Sequence, residues 1–221
     1  MWQPWGCMMH KYTRTDTERC FRYNRFWGGQ NHLVYIGDTR VRQLYLATRR
    51  WVEHGAELGQ LTSETPLLEL EVGEGGDLSW ENGAQNLKLD FYWAPVVNSS
   101  MLDTLARWRT GRGPTVLVAG AGAASILTSN NSLEALDCHR RNLTKVRAEL
   151  ENIAVYGNTR VLWAIEAPVD WDRLNDTHRS RGLTNEAISR YNSEASKVVS
   201  VSEALSTESN QIINISCEGV P

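Results

Sequence analysis

The run TVLVA at Thr115–Ala119 is the feature that most constrains the fold of this chain. It is a short, continuous apolar stretch rich in β-branched residues, and the small residues of Gly120–Ser125 follow it directly. Such a run is typical of a strand that is buried on both faces of a parallel sheet. Because Leu133–Val155 then shows apolar residues at helical spacing, this part of the chain predicts a strand, a small-residue loop and a long helix.

The same alternation of strand and helix patterns recurs along the chain. Short apolar or alternating runs predict further strands at Leu33–Ile36, Leu67–Val72, Leu87–Trp93, Arg160–Ile165 and Ile212–Ile215. Amphipathic segments predict helices at Arg40–Glu53, Ser100–Arg109 and Thr184–Val199, with Ser99 or Ser100 as an N-cap. The glycine cluster at the start of GEGGDLSWENG, around Gly73–Gly76, predicts a turn or loop. Strands that alternate with helices indicate an α/β fold, with a mostly parallel sheet between two layers of helices.

Length and charge narrow the class of protein. The chain has 221 residues, of which 41% are apolar, and its net charge is -3. These values suit one globular domain, and the small, mixed charge does not indicate nucleic acid as a partner.

No stretch of about 18 apolar residues occurs, so no segment of this sequence predicts a membrane span. Cys7 and His10 have a ligand-like spacing, but without a second such pair no metal site is predicted.

Gly37-Asp38-Thr39 stands at the carboxyl end of the first predicted strand. Ligands of parallel sheets bind at such ends, so this turn and Gly120–Ser125 are expected to face one crevice. A hydroxyl at a sharp strand-to-helix turn is rigidly held and exposed, and N–H groups of the new helix can stabilise an oxyanion. Thr39 is therefore a candidate nucleophile, and Asp38 a candidate support for the turn. The alternative is that Asp38 or Thr39 serves only as the N-cap of the helix.

Cysteines and glycosylation triplets bear on the cellular compartment. Cys7 and Cys20 flank a short polar segment and predict a disulfide, with two free thiols as the alternative. The acceptor pattern Asn-x-Ser/Thr occurs five times, at Asn98, Asn130, Asn142, Asn175 and Asn214. This abundance favours the secretory pathway, where such sites are glycosylated and disulfides persist.

The segment IGDTRVRQLY, which contains Thr39, resembles the Gly-Asp-Ser nucleophile block of the SGNH, or GDSL-like, esterases and acyltransferases. Further segments are similar, in the same order, to the luminal catalytic domain of the animal sialic acid O-acetyltransferase family: WQPWGCMMHKY, FYWAPVVNSSM, VLVAGAGAASI with NSLEAL behind it, and LTNEAISRYN. The resemblance implies an SGNH-hydrolase-like (flavodoxin-like) three-layer α/β/α fold. Residues 1–32 would form an N-terminal extension with the disulfide, and residues 33–221 an acyltransferase domain that lacks its C-terminal part.

The resemblance also implies an activity. Members of the family lie in the Golgi membrane with the catalytic domain on the luminal side, so membrane attachment would come from segments outside this chain. They bind no cofactor and transfer acetyl from acetyl-CoA to a hydroxyl of sialic acid, with CMP-sialic acid as the favoured acceptor. The family serine that matches Thr39 forms an acyl-enzyme, and the loops that match Asn98-Ser99 and Gly120-Ala121 supply oxyanion or substrate contacts. Arg40 is a candidate to bind a phosphate or carboxylate of a substrate, with an exposed helix charge as the alternative.

Four features depart from the family pattern. Thr39 replaces a serine, and its β-branched side chain is stiff at χ1. Ser99 stands where the family has glycine, and Ala124 where it has a bulky aromatic residue. No aspartate in the sequence has a histidine three residues later, so the Asp-x-x-His block that supplies the base of the family is absent from this sequence. The sequence therefore predicts an O-acetyltransferase domain that is inactive as given, with a carbohydrate acetyl esterase and a catalytically dead member as alternatives.

Overall fold

The computed structural model describes residues 13–54, 76–129, 132–170, 172, 181–199 and 213–215. Its elements are α1 (Arg14–Phe26), β1 (Asn31–Gly37), α2 (Thr39–His54), β2 (Leu78–Asn82), β3 (Leu87–Trp93), α3 (Ser99–Leu105), β4 (Val116–Gly120), α4 (Ala123–Ser129), α5 (Leu133–Tyr156), β5 (Arg160–Ala164), α6 (Asn185–Val199) and β6 (Ile213–Ile215). A short 3-10 turn, Ala106–Trp108, extends α3. None of the helices in these ranges is both long and apolar enough to cross a bilayer.

The six strands form one sheet in the order β2-β3-β1-β4-β5-β6. β2 pairs antiparallel with β3, and every other pair of neighbouring strands is parallel. Counted along the chain, the five parallel strands therefore lie in the order 2-1-3-4-5, which is the flavodoxin-like order. The predicted α/β class with a mostly parallel sheet is confirmed.

Successive residues of the strands bury against opposite layers of helices. Val34 and Ile36 of β1 pack in a core with buried residues of α3, α5 and α6. Tyr35 points to the other face, where it packs with Val41 and Tyr45 of α2. Each fully buried large apolar side chain contributes about 1.5–3 kcal/mol, so these two cores hold the sheet between its helix layers.

No strand is predicted at Leu78–Asn82, just after the glycine cluster. These residues form the edge strand β2, in which the half-buried Leu78 and Trp80 alternate with the exposed Ser79 and Glu81. The strand is stabilised by pairing with β3, a long-range contact that the glycine-rich local sequence does not reveal. The strand predicted at Leu67–Val72 lies outside the described residues.

A helix, α1, covers Arg14–Phe26 and so includes the second half of the polar stretch between Cys7 and Cys20. Thr13 and Asp16 cap it reciprocally: Thr13 Oγ1 accepts the N–H of Asp16 at 3.3 Å, and Asp16 Oδ2 accepts the N–H of Thr13 at 2.9 Å. Cys20 is a free, exposed thiol on this helix. The other residue of the predicted disulfide, Cys7, lies outside the described residues, so that disulfide stays a prediction.

His139 of α5 is buried against the ring of Tyr191 of α6, with 4.7 Å between the ring centroids. Burial lowers the pKa of His139 from 6.5 to about 4, although Glu194 opposes this shift. The unfolded chain then binds more protons than the folded one between these pH values. We expect the free energy of unfolding to fall by up to about 3 kcal/mol as the pH drops through this range.

Urea unfolding of the wild type and of His139→Phe between pH 6.5 and about 4 measures this effect. The variant keeps a ring against Tyr191 but removes the titrating group, so its stability should fall less on acidification. An identical pH dependence of the two proteins would contradict the burial of a neutral His139.

Candidate active site

The carboxyl ends of three neighbouring strands meet at one place in the sheet. Gly37, the last residue of β1, lies in register with Trp93 of β3 on one side and Gly120 of β4 on the other. The strand order reverses direction between β1 and β4, and ligands of open α/β sheets bind in the crevice outside such a switch point. The turns after β1 and β4, which the sequence predicts to face one crevice, thus start side by side.

Asp38 holds the turn between β1 and α2. Its carbonyl accepts the N–H of Arg42 at 2.9 Å, and its Oδ1 accepts the N–H of Arg40 at 3.0 Å, so Asp38 is the N-cap of α2. Asp38 is only 5% exposed, whereas Thr39, the first residue of the helix, is exposed. Thr39 therefore stands in the first turn of α2, where Asp38 accepts the N–H of Arg40, and the N–H groups of Thr39 and Val41 have no acceptor within the helix. This arrangement suits nucleophilic attack with stabilisation of an oxyanion.

Gly37 and Gly120 allow neighbouring strands to end in close contact. A Cβ on Gly37 would collide with the carbonyl oxygen of Gly120 and would lie 2.7 Å from Cγ2 of Val41. A Cβ on Gly120 would lie 2.5 Å from the carbonyl oxygen of Ala164. The geometry of the turn that carries Thr39 therefore depends on the absence of a side chain at both positions.

Asn98 caps α3. Its Oδ1 accepts the N–H of Ser100 at 3.0 Å and that of Met101 at 3.4 Å. The predicted cap, Ser99 or Ser100, is wrong by one or two residues, because the amide oxygen of Asn98 reaches both N–H groups. Asn98 and Ser99 are exposed at the start of this helix. The cap uses only Oδ1, which leaves the N–H groups of Asn98 Nδ2 for a ligand.

The loop after β4 is shorter than predicted. The helix α4 begins at Ala123, so only Ala121 and Gly122 separate it from the strand, and the reading of Gly120–Ser125 as a loop is wrong. Gly120 and Ala121 are buried. The N–H of Ala123 is donated to Oε1 of Glu166 at 3.3 Å. A residue remote in sequence thus supports the start of α4, which a local pattern cannot show.

Arg40 contacts the loop after β5. Its Nη1 donates to the carbonyl of Ala167 at 2.9 Å and lies 3.8 Å from Oε2 of Glu166. The sequence analysis does not identify Glu166, although an acid directly after a strand at this edge was a usable signal. Glu166 is 7% exposed. Burial and the neighbouring carboxyl of Asp38 raise the pKa of Glu166 to about 8, against the opposing effects of the Ala123 N–H and Arg40.

Two histidines of the described residues, His32 and His139, have their contacts away from the turn that carries Thr39. His32 lies at the opposite end of β1, where its Nε2 is 2.7 Å from Oδ2 of Asp90. His139 is buried against Tyr191. Sequence spacing does not reveal the His32–Asp90 pair, because the two residues meet across paired strands. Neither histidine is hydrogen-bonded to Thr39 in the structure.

The predicted glycosylation positions differ in their surroundings. Asn98 is exposed at the start of α3, whereas Asn142 donates its Nδ2 to the carbonyl of Val97 at 2.9 Å. Because a glycan attaches to Nδ2, that bond opposes modification of Asn142. Asn214 lies in β6. Asn130 and Asn175 lie outside the described residues.

Two cavities adjoin the sheet at opposite ends. One, of about 340 Å³, lies next to the candidate site, between the loop Ile165–Pro168 and the polar residues of α6, which are Asn185, Ser189, Asn192, Ser193 and Ser196. The other, of about 310 Å³, lies at the amino ends of the strands and is lined in part by His32 and Lys88. Glu166 itself lines the first cavity, whereas the second lies at the end of β1 that is opposite to Thr39.

Comparison with known proteins identifies relatives that are named O-acetyltransferases. The chain is 30% identical over 206 residues to the N-acetylneuraminate (7)9-O-acetyltransferase of Danio rerio. This match covers 92% of this chain and 23% of that protein. Xylan O-acetyltransferases 12 and 13 of Oryza sativa subsp. japonica are each 28% identical over 102 residues, or 46% of this chain and 17% of theirs. No protein-family model and no solved structure matches.

The chain thus spans less than a quarter of the length of each of these relatives, while the Danio rerio enzyme matches nearly all of the chain. This match includes the turn with Thr39, the start of α3 and the loop after β4, and it confirms the resemblance that the motifs in those segments predict. Over nearly all of its length, the chain is thus similar to an enzyme named N-acetylneuraminate (7)9-O-acetyltransferase.

Proposed function

We propose that this chain carries the nucleophile of an O-acetyltransferase that moves acetyl from acetyl-CoA to a hydroxyl of sialic acid, with CMP-sialic acid as the favoured acceptor. The observation that supports this proposal is the exposed Thr39 in the first turn of α2. The similarity of 92% of the chain to an N-acetylneuraminate (7)9-O-acetyltransferase supports the substrate class. The relatives from rice are named for acetyl transfer to another carbohydrate, xylan. The names of all three relatives favour transfer over the esterase alternative.

The proposed reaction consists of two acyl transfers. Thr39 Oγ attacks the carbonyl carbon of the acetyl thioester, the C–S bond breaks, CoA leaves as the thiol, and acetyl remains as an ester on Thr39. The sugar hydroxyl then attacks this ester, acetyl passes to the sugar, and Thr39 regains its proton. The N–H groups at the start of α2 and Asn98 Nδ2 stabilise the oxyanion of each tetrahedral intermediate. The resemblance assigns both proton transfers to the histidine of an Asp-x-x-His block.

The proposed setting is the luminal side of the Golgi membrane, with attachment by segments outside this chain. The resemblance supports this setting, as does the number of glycosylation triplets in the sequence. Sensitivity of the full-length protein from cells to an N-glycosidase tests it. A protein that carries no glycan and is cleaved by protease added to intact Golgi vesicles would oppose a luminal domain.

We expect Asn98→Asp to lower the rate of acetyl transfer by about 10²–10³-fold with little change in stability. The carboxylate still accepts the N–H groups of Ser100 and Met101, and its charge suits a helix N-terminus. It lacks the Nδ2 donor that we assign to the oxyanion. Steady-state rates and urea unfolding of the full-length protein separate the two effects.

Asn98→Asp also removes a glycosylation triplet, so Ser100→Ala serves as its control. That variant destroys the triplet but keeps Asn98 and its cap. The proposal requires normal transfer by Ser100→Ala. Equal loss of transfer in both variants would assign the effect to the glycan, and unchanged transfer in Asn98→Asp would remove Asn98 from the oxyanion site.

A further inference from the structure

Glu166 contacts three of the segments that surround the candidate nucleophile. Its Oε1 accepts the N–H of Ala123 at the start of α4, and its Oε2 lies 3.8 Å from Nη1 of Arg40 in α2. A Cβ on Gly122 would lie 2.9 Å from its Cγ, so the loop after β4 packs directly on this side chain. Its backbone is bound on both sides by Asn192 of α6, which accepts the Glu166 N–H at 2.9 Å and donates to the Glu166 carbonyl at 2.7 Å.

The carboxyl of Asp38 is a further group that acts on Glu166. Asp38 Oδ1 accepts the N–H of Arg40, but Oδ2 is buried and accepts no hydrogen bond from the described residues when both acids are ionised. A buried carboxylate oxygen without a donor is costly. Glu166 lies close enough to Asp38 for that carboxyl to raise the pKa of Glu166, and a proton on Glu166 would supply the missing donor.

We propose that Glu166 is a positioning residue that stays protonated at neutral pH, donates a hydrogen bond to Asp38 and thereby fixes the turn that carries Thr39. This inference rests on the proposed role of Thr39 as nucleophile. Asp38 caps α2 through its other oxygen, so a hydrogen bond from Glu166 orients the cap and with it the first helical residue. A displacement of about 1 Å in such a group can cost about a hundredfold in rate.

The charged groups that face Glu166 agree with a protonated side chain. The turn and first residues of α2 supply one negative group, Asp38, and one positive group, Arg40, while α4 supplies a backbone N–H and α6 the neutral Asn192. Burial is the largest cause of the raised pKa of Glu166, and Asp38 is the next. Burial and Asp38 together raise the pKa of Glu166 more than Arg40 lowers it. The side chain of Arg40 is 40% exposed, so water partly screens its charge.

The first test compares Glu166→Gln with Glu166→Ala in the full-length protein. A glutamine amide can donate to Asp38 and still accept from Ala123, so it reproduces the protonated acid. We expect Glu166→Gln to transfer acetyl within about threefold of the wild-type rate at neutral pH, and Glu166→Ala to lose about 10–100-fold, mainly in kcat. The ratio of the wild-type to the Glu166→Gln rate should fall as the pH rises through about 8. Equal loss in both variants would overturn the proposal.

The second test does not depend on activity. The carboxyl carbon of Glu166, assigned by comparison of 13C spectra of the wild type with those of Glu166→Gln, should titrate near pH 8. The unfolding equilibrium constant of the wild type relative to Glu166→Gln should rise by up to about tenfold per pH unit between about 4.5 and 8, because the folded protein holds a proton that the unfolded chain has lost. Titration of Glu166 near its ordinary pKa of 4.5 would overturn the proposal.

The two tests separate this inference from the proposed function. If the full-length protein transfers no acetyl but Glu166 titrates near pH 8, the Asp38–Glu166 bond stands and the assigned reaction fails. If the protein is active and Glu166→Gln is as impaired as Glu166→Ala, the reaction stands and the role of Glu166 fails.

Discussion

Replacement of Thr39 by alanine in the full-length protein is expected to lower the rate of acetyl transfer by about 10³–10⁴-fold or more. Thr39 is exposed on the first residue of α2, next to a buried N-cap, and in the proposed reaction its oxygen forms the bond to acetyl. The loss should appear in kcat, because the hydroxyl takes part in bond formation and contributes little to binding of the substrates. Initial rates with acetyl-CoA and CMP-sialic acid measure it.

Thr15→Ala is a matched control, since Thr15 is also an exposed threonine in the first turn of a helix, α1. It should leave the rate unchanged. Thr39→Ser removes only the methyl group and should transfer acetyl at least as fast as the wild type, since threonine is the stiffer nucleophile. A wild-type rate no better than that of Thr39→Ala would exclude Thr39 as the nucleophile.

Replacement of Gly37 by alanine is expected to destabilise the domain by about 2–4 kcal/mol. The new Cβ would meet the carbonyl oxygen of Gly120 and lie 2.7 Å from Val41 Cγ2, so β1, β4 or the start of α2 must move. The carbonyl of Gly37 also accepts the N–H of Ala94 at 2.9 Å, which links the same strand end to the segment before α3. Transfer should therefore fall even where the variant remains folded.

Gly83→Ala is the control for this substitution. Gly83 lies between β2 and β3, and a Cβ there would have no atom within 4 Å. We expect its free energy of unfolding to stay within about 0.5 kcal/mol of the wild-type value in urea titrations. If Gly37→Ala were as stable as the wild type, the ends of β1 and β4 would be less closely packed than the structure shows.

The strands with strong local patterns were predictable from the sequence, and the elements that depend on distant residues were not. The apolar run at Val116–Gly120 and the helix at Leu133–Tyr156 lie where the patterns place them, to within one or two residues. The edge strand Leu78–Asn82 exists through its pairing with β3, and its glycine-rich surroundings predict a loop. The start of α4 depends in the same way on Glu166, which is 43 residues further along the chain.

The residues of the candidate site also divide into those that local sequence patterns predict and those that depend on distant contacts. The sequence around Thr39 predicts the turn, because glycine, an acidic cap and a hydroxyl are local features. Glu166 gives only the weaker local signal of an acid directly after a predicted strand. Its importance arises from burial beside Asp38, because the strand order brings the ends of β1 and β5 to the same edge on either side of β4. Pairings of this kind follow from strand order, so they can be identified only once the topology is known.

The most direct measurement is mass spectrometry of the peptide that contains Thr39, after the full-length protein has been exposed to acetyl-CoA without an acceptor. We expect an acetyl group on Thr39 that disappears when CMP-sialic acid is added, with matching acetylation of the sugar, and no acetylated peptide from Thr39→Ala. Loss of that acetyl group to water, with no acetylated sugar, would identify an esterase. Efficient transfer by the wild type with the acetyl group on a different residue would contradict the central claim.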